Sequence, residues 1–112
     1  MKINGKEFEF DIADADCMER YEKALQIIQE ESKNAKLSGA PSEKLKVSCQ
    51  LVFNFFDEVL GRGAADKIFE GKMNFRTCFE VYEQFIDDCS ESCQSLTQKL
   101  SKYSSNRAQR RA

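Results

Sequence analysis

The sequence predicts a mainly α-helical fold: an N-terminal β-hairpin, then three main helices in a small bundle, with a long C-terminal helix and a disordered basic tail. Three observations lead there. Apolar residues recur at steps of three and four through most of the chain. Strict apolar–charged alternation is confined to its first dozen residues. Gly, Pro, Asn and Ser fall where the periodic patterns break. A chain of 112 residues fits one domain, expected over 1–103, followed by a tail over 104–112. Apolar residues make up 41% and charged residues 32%, with nine Phe and no Trp, a balance that gives a foldable soluble domain and not a disordered chain.

Residues 2–12 place an Asn4-Gly5 turn before Phe8, Phe10 and Ile12, which alternate with charged residues. That is a hairpin signal, and an isolated two-stranded hairpin is marginal, so its apolar face needs helices or another strand against it. Asp16 and Glu19 have the spacing of a capping box, and Met18, Tyr21, Leu25 and Ile28 follow at helical steps, predicting a first helix over 15–36. Ser38-Gly39-Ala40-Pro41 ends it, and Ser42 is placed to cap a second helix. The apolar face of that helix, Leu45, Cys49, Val52, Phe53, Phe56, Val59 and Leu60 with Val47, Leu51 and Phe55 on its flanks, is broad enough to make it the central element. Gly61-Arg62-Gly63 stops it, a helical turn over 64–69 follows, and Asn74 is a plausible cap for the last helix.

The last helix, expected over 75–103, carries Phe75, Phe79, Tyr82, Ile86, Cys89, Cys93, Leu96, Leu100 and Tyr103 in a sustained 4,3 alternation of steps, a heptad seam. Such a helix outruns a compact domain of this size, so its distal half should project, and the seam Ile86, Cys89, Cys93, Leu96, Leu100 and Tyr103 is read as a protein-binding surface prone to self-association.

Several function classes lose their footing on composition. With no His, the commonest general base and neutral metal ligand are missing. Cys17, Cys49, Cys78, Cys89 and Cys93 form no C-x-x-C pair and sit at apolar helical positions, so they read as reduced core thiols, and no metal or cofactor is expected. The carboxylate pairs Glu30/Glu31, Asp57/Glu58 and Asp87/Asp88 lie on polar helix sides, where a solvated face is the ordinary explanation, and Gly61-Arg62-Gly63 lacks the Lys-Ser/Thr of a phosphate loop. The residues point to a binding protein and not an enzyme. The N-terminal segment has no uninterrupted apolar stretch for a secretory signal, and Leu51–Leu60 is broken by Asn54, Asp57 and Glu58, so the expected location is cytoplasmic with no membrane contact.

Charge is divided along the chain. Residues 1–91 carry 12 basic and 19 acidic side chains, a net −7, while residues 92–112 carry five basic and none acidic. Arg107, Arg110 and Arg111, with Lys99 and Lys102, are candidate contacts to a protein partner or to nucleic acid. Against nucleic acid stand the acidic body and the lack of aromatics among the arginines beyond Tyr103.

The opening Met-Lys-Ile-Asn-Gly-Lys-Glu-Phe-Glu-Phe-Asp and the closing Ser-Ser-Asn-Arg-Ala-Gln-Arg-Arg-Ala resemble small proteins of tailed phages and prophages of Gram-positive bacteria. Residues 106–112 are similar to the C-termini of several tail assembly chaperones of long-tailed phages, and residues 1–103 are similar to a prophage family of hairpin-plus-helices proteins. The resemblance implies a chaperone that coats the tape-measure protein during tail assembly, recruits tail-tube subunits and is absent from the finished tail. Two rival expectations are a small phage regulator binding nucleic acid through its Arg-rich tail, and a structural virion component such as a head–tail connector.

Overall fold

A computed structural model describes residues 1–35 and 39–110, with side chains as far as residue 104 apart from those at 36–38. Its elements are β1 (Lys2–Ile3), β2 (Lys6–Glu7), α1 (Ala15–Asn34), α2 (Pro41–Leu60), α3 (Ala64–Phe69) and α4 (Phe75–Arg110). The expected mainly α fold, with a small hairpin and a long last helix, is the fold observed.

The hairpin turns at Asn4 and Gly5, both with positive φ (51° and 79°), the pair of left-handed residues that a two-residue hairpin requires. Lys2 pairs with Glu7 and Ile3 with Lys6. The neighbour it needs is its own chain. Ile3 is buried, the Asn4 amide donates to the Ile68 carbonyl at 2.9 Å, and Lys6 pairs with Glu70 at 3.0 Å, tying the hairpin to α3. Lys6 also holds the Glu70 carboxyl below its ordinary pKa. Phe8 extends the hairpin by exchanging backbone hydrogen bonds with Met1 (2.9 and 3.0 Å), and Phe8 and Phe10 both pack on the core, where Phe10 meets Phe85 of α4 at 5.5 Å between ring centroids.

Helix starts differ from the sequence reading in two places. The cap of α1 is Asp14, whose carboxylate accepts from the N–H groups of Asp16 (2.9 Å) and Cys17 (3.3 Å). An N-cap must sit outside the helix, as the extended backbone of Asp14 does (φ −77°, ψ 128°); Asp16 lies in the first turn, where its charge faces the positive end of the helix dipole. Asp14→Ala is therefore expected to lower stability by about 1 kcal/mol, read from urea unfolding, with an unchanged midpoint overturning this assignment. In α2 the first residue is Pro41, and Ala40 stands at the cap without a side-chain bond, so Ser42 does not cap. Pro suits that position because it has no N–H to satisfy and its φ is already helical. Asn74 does cap α4, its side-chain oxygen accepting from the Thr77 N–H at 3.2 Å.

Helix α2 is central, packing against α1, α3 and α4. Contacts between Cys49 and Cys78, Phe55 and Tyr82, and Phe56 and Phe85 advance together along both helices, so α2 and α4 run in the same direction. Lys23 in the middle of α1 pairs with Glu58 near the end of α2 (3.3 Å), whereas Lys33 at the end of α1 lies across the groove from Ser48, so α1 and α2 are antiparallel. The buried set of α2 is Cys49, Val52, Phe55, Phe56 and Val59. Phe55, expected on a flank, is 2% exposed, whereas Leu45, expected on the core face, is 48% exposed. With three helices around it, α2 buries more than one stripe at its middle and little at its start.

Helix α4 differs most from expectation. Its core-facing line is Cys78, Phe85 and Cys89, with Tyr82, Cys93 and Leu96 half-buried beside it. Phe75 and Phe79, expected to open the seam, are 37% and 43% exposed. The line is anchored by Phe85, which no heptad position claimed and which meets Phe10, Tyr21, Phe55 and Phe56 at centroid distances of 5.3–6.0 Å. The helical backbone also continues to Arg110, moving the helix end beyond Tyr103. Residues 104–110 contain no Gly or Pro and include Ala, Gln and Arg, good helix formers, with cationic residues at the end that the helix dipole favours. The result is an elongated molecule, 66 × 30 × 21 Å with a radius of gyration of 17.4 Å, against about 13 Å for a compact domain near this size.

Candidate functional site

The expected binding seam divides into three parts. Cys89 is 2% exposed, inside the core, so it is removed from any contact surface. Ile86, Cys93 and Leu96 are half-buried against the core, where Cys93 and Leu96 follow Cys89 along α4. Leu100 and Tyr103 are 66% and 61% exposed. The body thus ends near Leu96, and α4 carries on for a further 14 residues to Arg110, about 21 Å of helix at ~1.5 Å per residue. Leu96, Leu100 and Tyr103 lie at i, i+4 and i+7, one stripe of a helix, flanked by Lys99 and Lys102. The side chains of Arg107 and Arg110, and all of Arg111, lie outside the described residues.

A second apolar surface sits at the other end of the same helix. Leu45 and Val47 of α2, Met73 before α4, and Phe75 and Phe79 in its first two turns are all at least 36% exposed. Phe75 and Phe79 stack at 5.6 Å. They form one wall of a groove of about 540 Å³, whose other walls are Ile28 and Lys33 of α1 and Ser48, Leu51 and Val52 of α2. A second hollow of about 410 Å³ lies along α1 and α2 and shares Ile28 and Leu51 with the first; Glu31, Asp57, Glu58 and Arg62 stand around it. Sequence reading assigned Phe75 and Phe79 to the seam and missed the groove. The available signal was the cluster Met73, Phe75 and Phe79 out of phase with the line through Cys78, Tyr82 and Phe85.

Three of the six paired carboxylates, Asp57, Glu58 and Asp88, have structural partners. Asp57 accepts from the Ala65 N–H at 2.9 Å and so fixes the turn into α3; Glu58 pairs with Lys23; Asp88 accepts from the Gln84 amide at 2.9 Å. Among the described residues, no group of three or more Cys, Asp or Glu side chains is placed to hold a metal ion. Likewise, no described helix is long and apolar enough to cross a membrane.

All five thiols are unpaired, four of them buried. Burial pushes the Cys89 thiol up to about 12 from an ordinary 9.0, and burial together with the neighbouring Cys49 thiol raises Cys78. Burial also pushes Tyr21, whose hydroxyl lies beside Ser90, from 10.0 up to about 12. Each group ionises more readily once unfolded, so its contribution to stability is complete below its ordinary value and is lost as pH rises through the folded one. The urea midpoint is expected to hold steady up to about pH 9 and to fall between about 9 and 12. A midpoint flat across that window would show that these groups are hydrated in the native state.

The fold and its exposed surfaces define a class: a hairpin-capped helical protein with one helix extended beyond its core and apolar surface at both ends of that helix. The chain belongs to DUF6673, a family of unknown function, whose family model matches residues 4–112. Neither a curated protein nor a solved structure matches the chain.

Proposed function

We propose that this protein is a phage or prophage tail assembly chaperone, working without catalysis in the host bacterial cytoplasm, that binds the tape-measure protein and tail-tube subunits through apolar helical surfaces. The observation that carries the reading is the extension of α4 past the core with Leu96, Leu100 and Tyr103 on one stripe. A tape-measure protein is a very long helical chain, and its apolar stripe stays soluble when many copies of a small helical partner lay an apolar seam along it. The similarity of residues 1–103 and 106–112 to phage and prophage proteins supplies the partner class.

The test is a pull-down of the tagged protein from cells expressing its phage genome neighbourhood. Recovery of a long helical tail protein or a tube subunit is the expected outcome; recovery of nucleic acid alone overturns it. The net +5 of residues 92–112 favours one other reading, a nucleic-acid-binding regulator, whose mark is binding that weakens steeply with salt and vanishes when residues 104–112 are removed.

A further inference from the structure

Two exposed apolar surfaces lie at opposite ends of α4, and their shapes differ. One is convex, the stripe on the extended helix; the other is concave, the groove walled by α1, α2 and the start of α4. A helix carrying apolar anchors on one face, as Leu100 and Tyr103 do at i and i+3, is what such a groove accepts. The distal part of α4 cannot reach the groove of its own chain, because α4 is one continuous helix and carries Leu100 some 32 Å beyond Phe79 at ~1.5 Å per residue. Charge agrees with an intermolecular fit: the extended segment is wholly basic, with Lys99 and Lys102 beside the stripe, while the body is net acidic and the hollow that continues the groove has Glu31, Asp57 and Glu58 against Arg62, with Lys33 at the groove itself.

We infer that the groove between Ile28, Leu51, Phe75 and Phe79 receives the extended α4 of a second copy of this chain, through Leu100 and its neighbours on the stripe. The contact is heterologous, tip into groove, so a bound pair still presents one free tip and one free groove. Assembly then continues into an open chain, or closes as a ring if the rotation permits. A run of copies in one polarity suits a long helical client, and the stripe is shared between the two uses, so client binding and self-assembly compete. Only this last point rests on the proposed function; the tip-into-groove contact stands without it.

The test uses the full chain and two exposed-site variants, Leu100→Asp at the tip and Phe79→Asp in the groove, with circular dichroism confirming that each remains folded and Phe75→Asp as a second groove variant. In sedimentation velocity across a concentration series, the wild type is expected to assemble beyond a dimer, and each variant alone to lose self-association by at least about tenfold. Mixing the tip and groove variants should restore a single kind of contact, the intact tip of one in the intact groove of the other, giving 1:1 dimers and nothing larger. A monomeric wild type, variants that assemble unchanged, or a groove variant that still assembles through tip-to-tip pairing would each overturn the inference. Assembly without capture of a tail protein in the pull-down would instead remove the proposed function and leave this contact in place.

Discussion

Replacing Phe85 by Ala is expected to lower the thermal midpoint by roughly 12–20 °C. Phe85 is 2% exposed and touches aromatic rings from the segment after the hairpin, from α1 and from α2. Truncating a buried Phe removes its transfer free energy and leaves a cavity, about 3–5 kcal/mol together. At about 4 °C per kcal/mol for a domain near this size, that gives the stated shift. The neighbours cannot collapse into the space, because Phe55 and Phe56 are held against Tyr82 and Phe69 on their other sides. Calorimetry of the purified variant checks it. A shift of only a few degrees would mean that α4 is loosely seated and that the line through Cys78, Phe85 and Cys89 is not the core seam.

Ending the chain after Leu96 is expected to do the opposite: to leave the bundle folded and to weaken partner binding and self-association by at least about thirtyfold, the factor that one strong interface anchor represents. Among the described side chains, none from 97 to 104 belongs to the buried core, and Leu100 and Tyr103, the large apolar ones there, are mostly exposed. Their loss should therefore cost little stability. Circular dichroism melting and the pull-down on the same variant separate the two effects. Global unfolding would place the distal stripe in the core, and undiminished capture of partners would move the binding surface to the body.

Much of the fold was legible in the residues. Local rules sufficed wherever a short stretch fixes its own geometry. Asn4-Gly5 has no better backbone than a tight hairpin turn, Gly61 and Gly63 take the positive φ that ends α2 and opens α3, and Asn74 can satisfy the Thr77 N–H from the next helix start. Misreadings arose where two local rules competed. Asp14 and Asp16 are both good caps, and the start of the helix between them decided which one capped.

What the sequence by itself determined is the element order, the central place of α2, the division of charge and the outrunning of the core by the last helix. Only the tertiary structure decided which apolar residues are covered. Along α4 the 4,3 spacing of Phe75, Phe79 and Tyr82 is as good a helix face as the line through Cys78, Tyr82 and Phe85, because an apolar side chain has no preference for one neighbour over another at the level of spacing. The choice was made by the partners: Phe10, Tyr21, Phe55 and Phe56 converge from three other segments on Phe85, and among the described residues Phe75 and Phe79 at one end and Leu100 at the other stay exposed. Burial is a property of the whole packed surface, whereas periodicity belongs to one helix, and so the groove appears only when the helices are brought together.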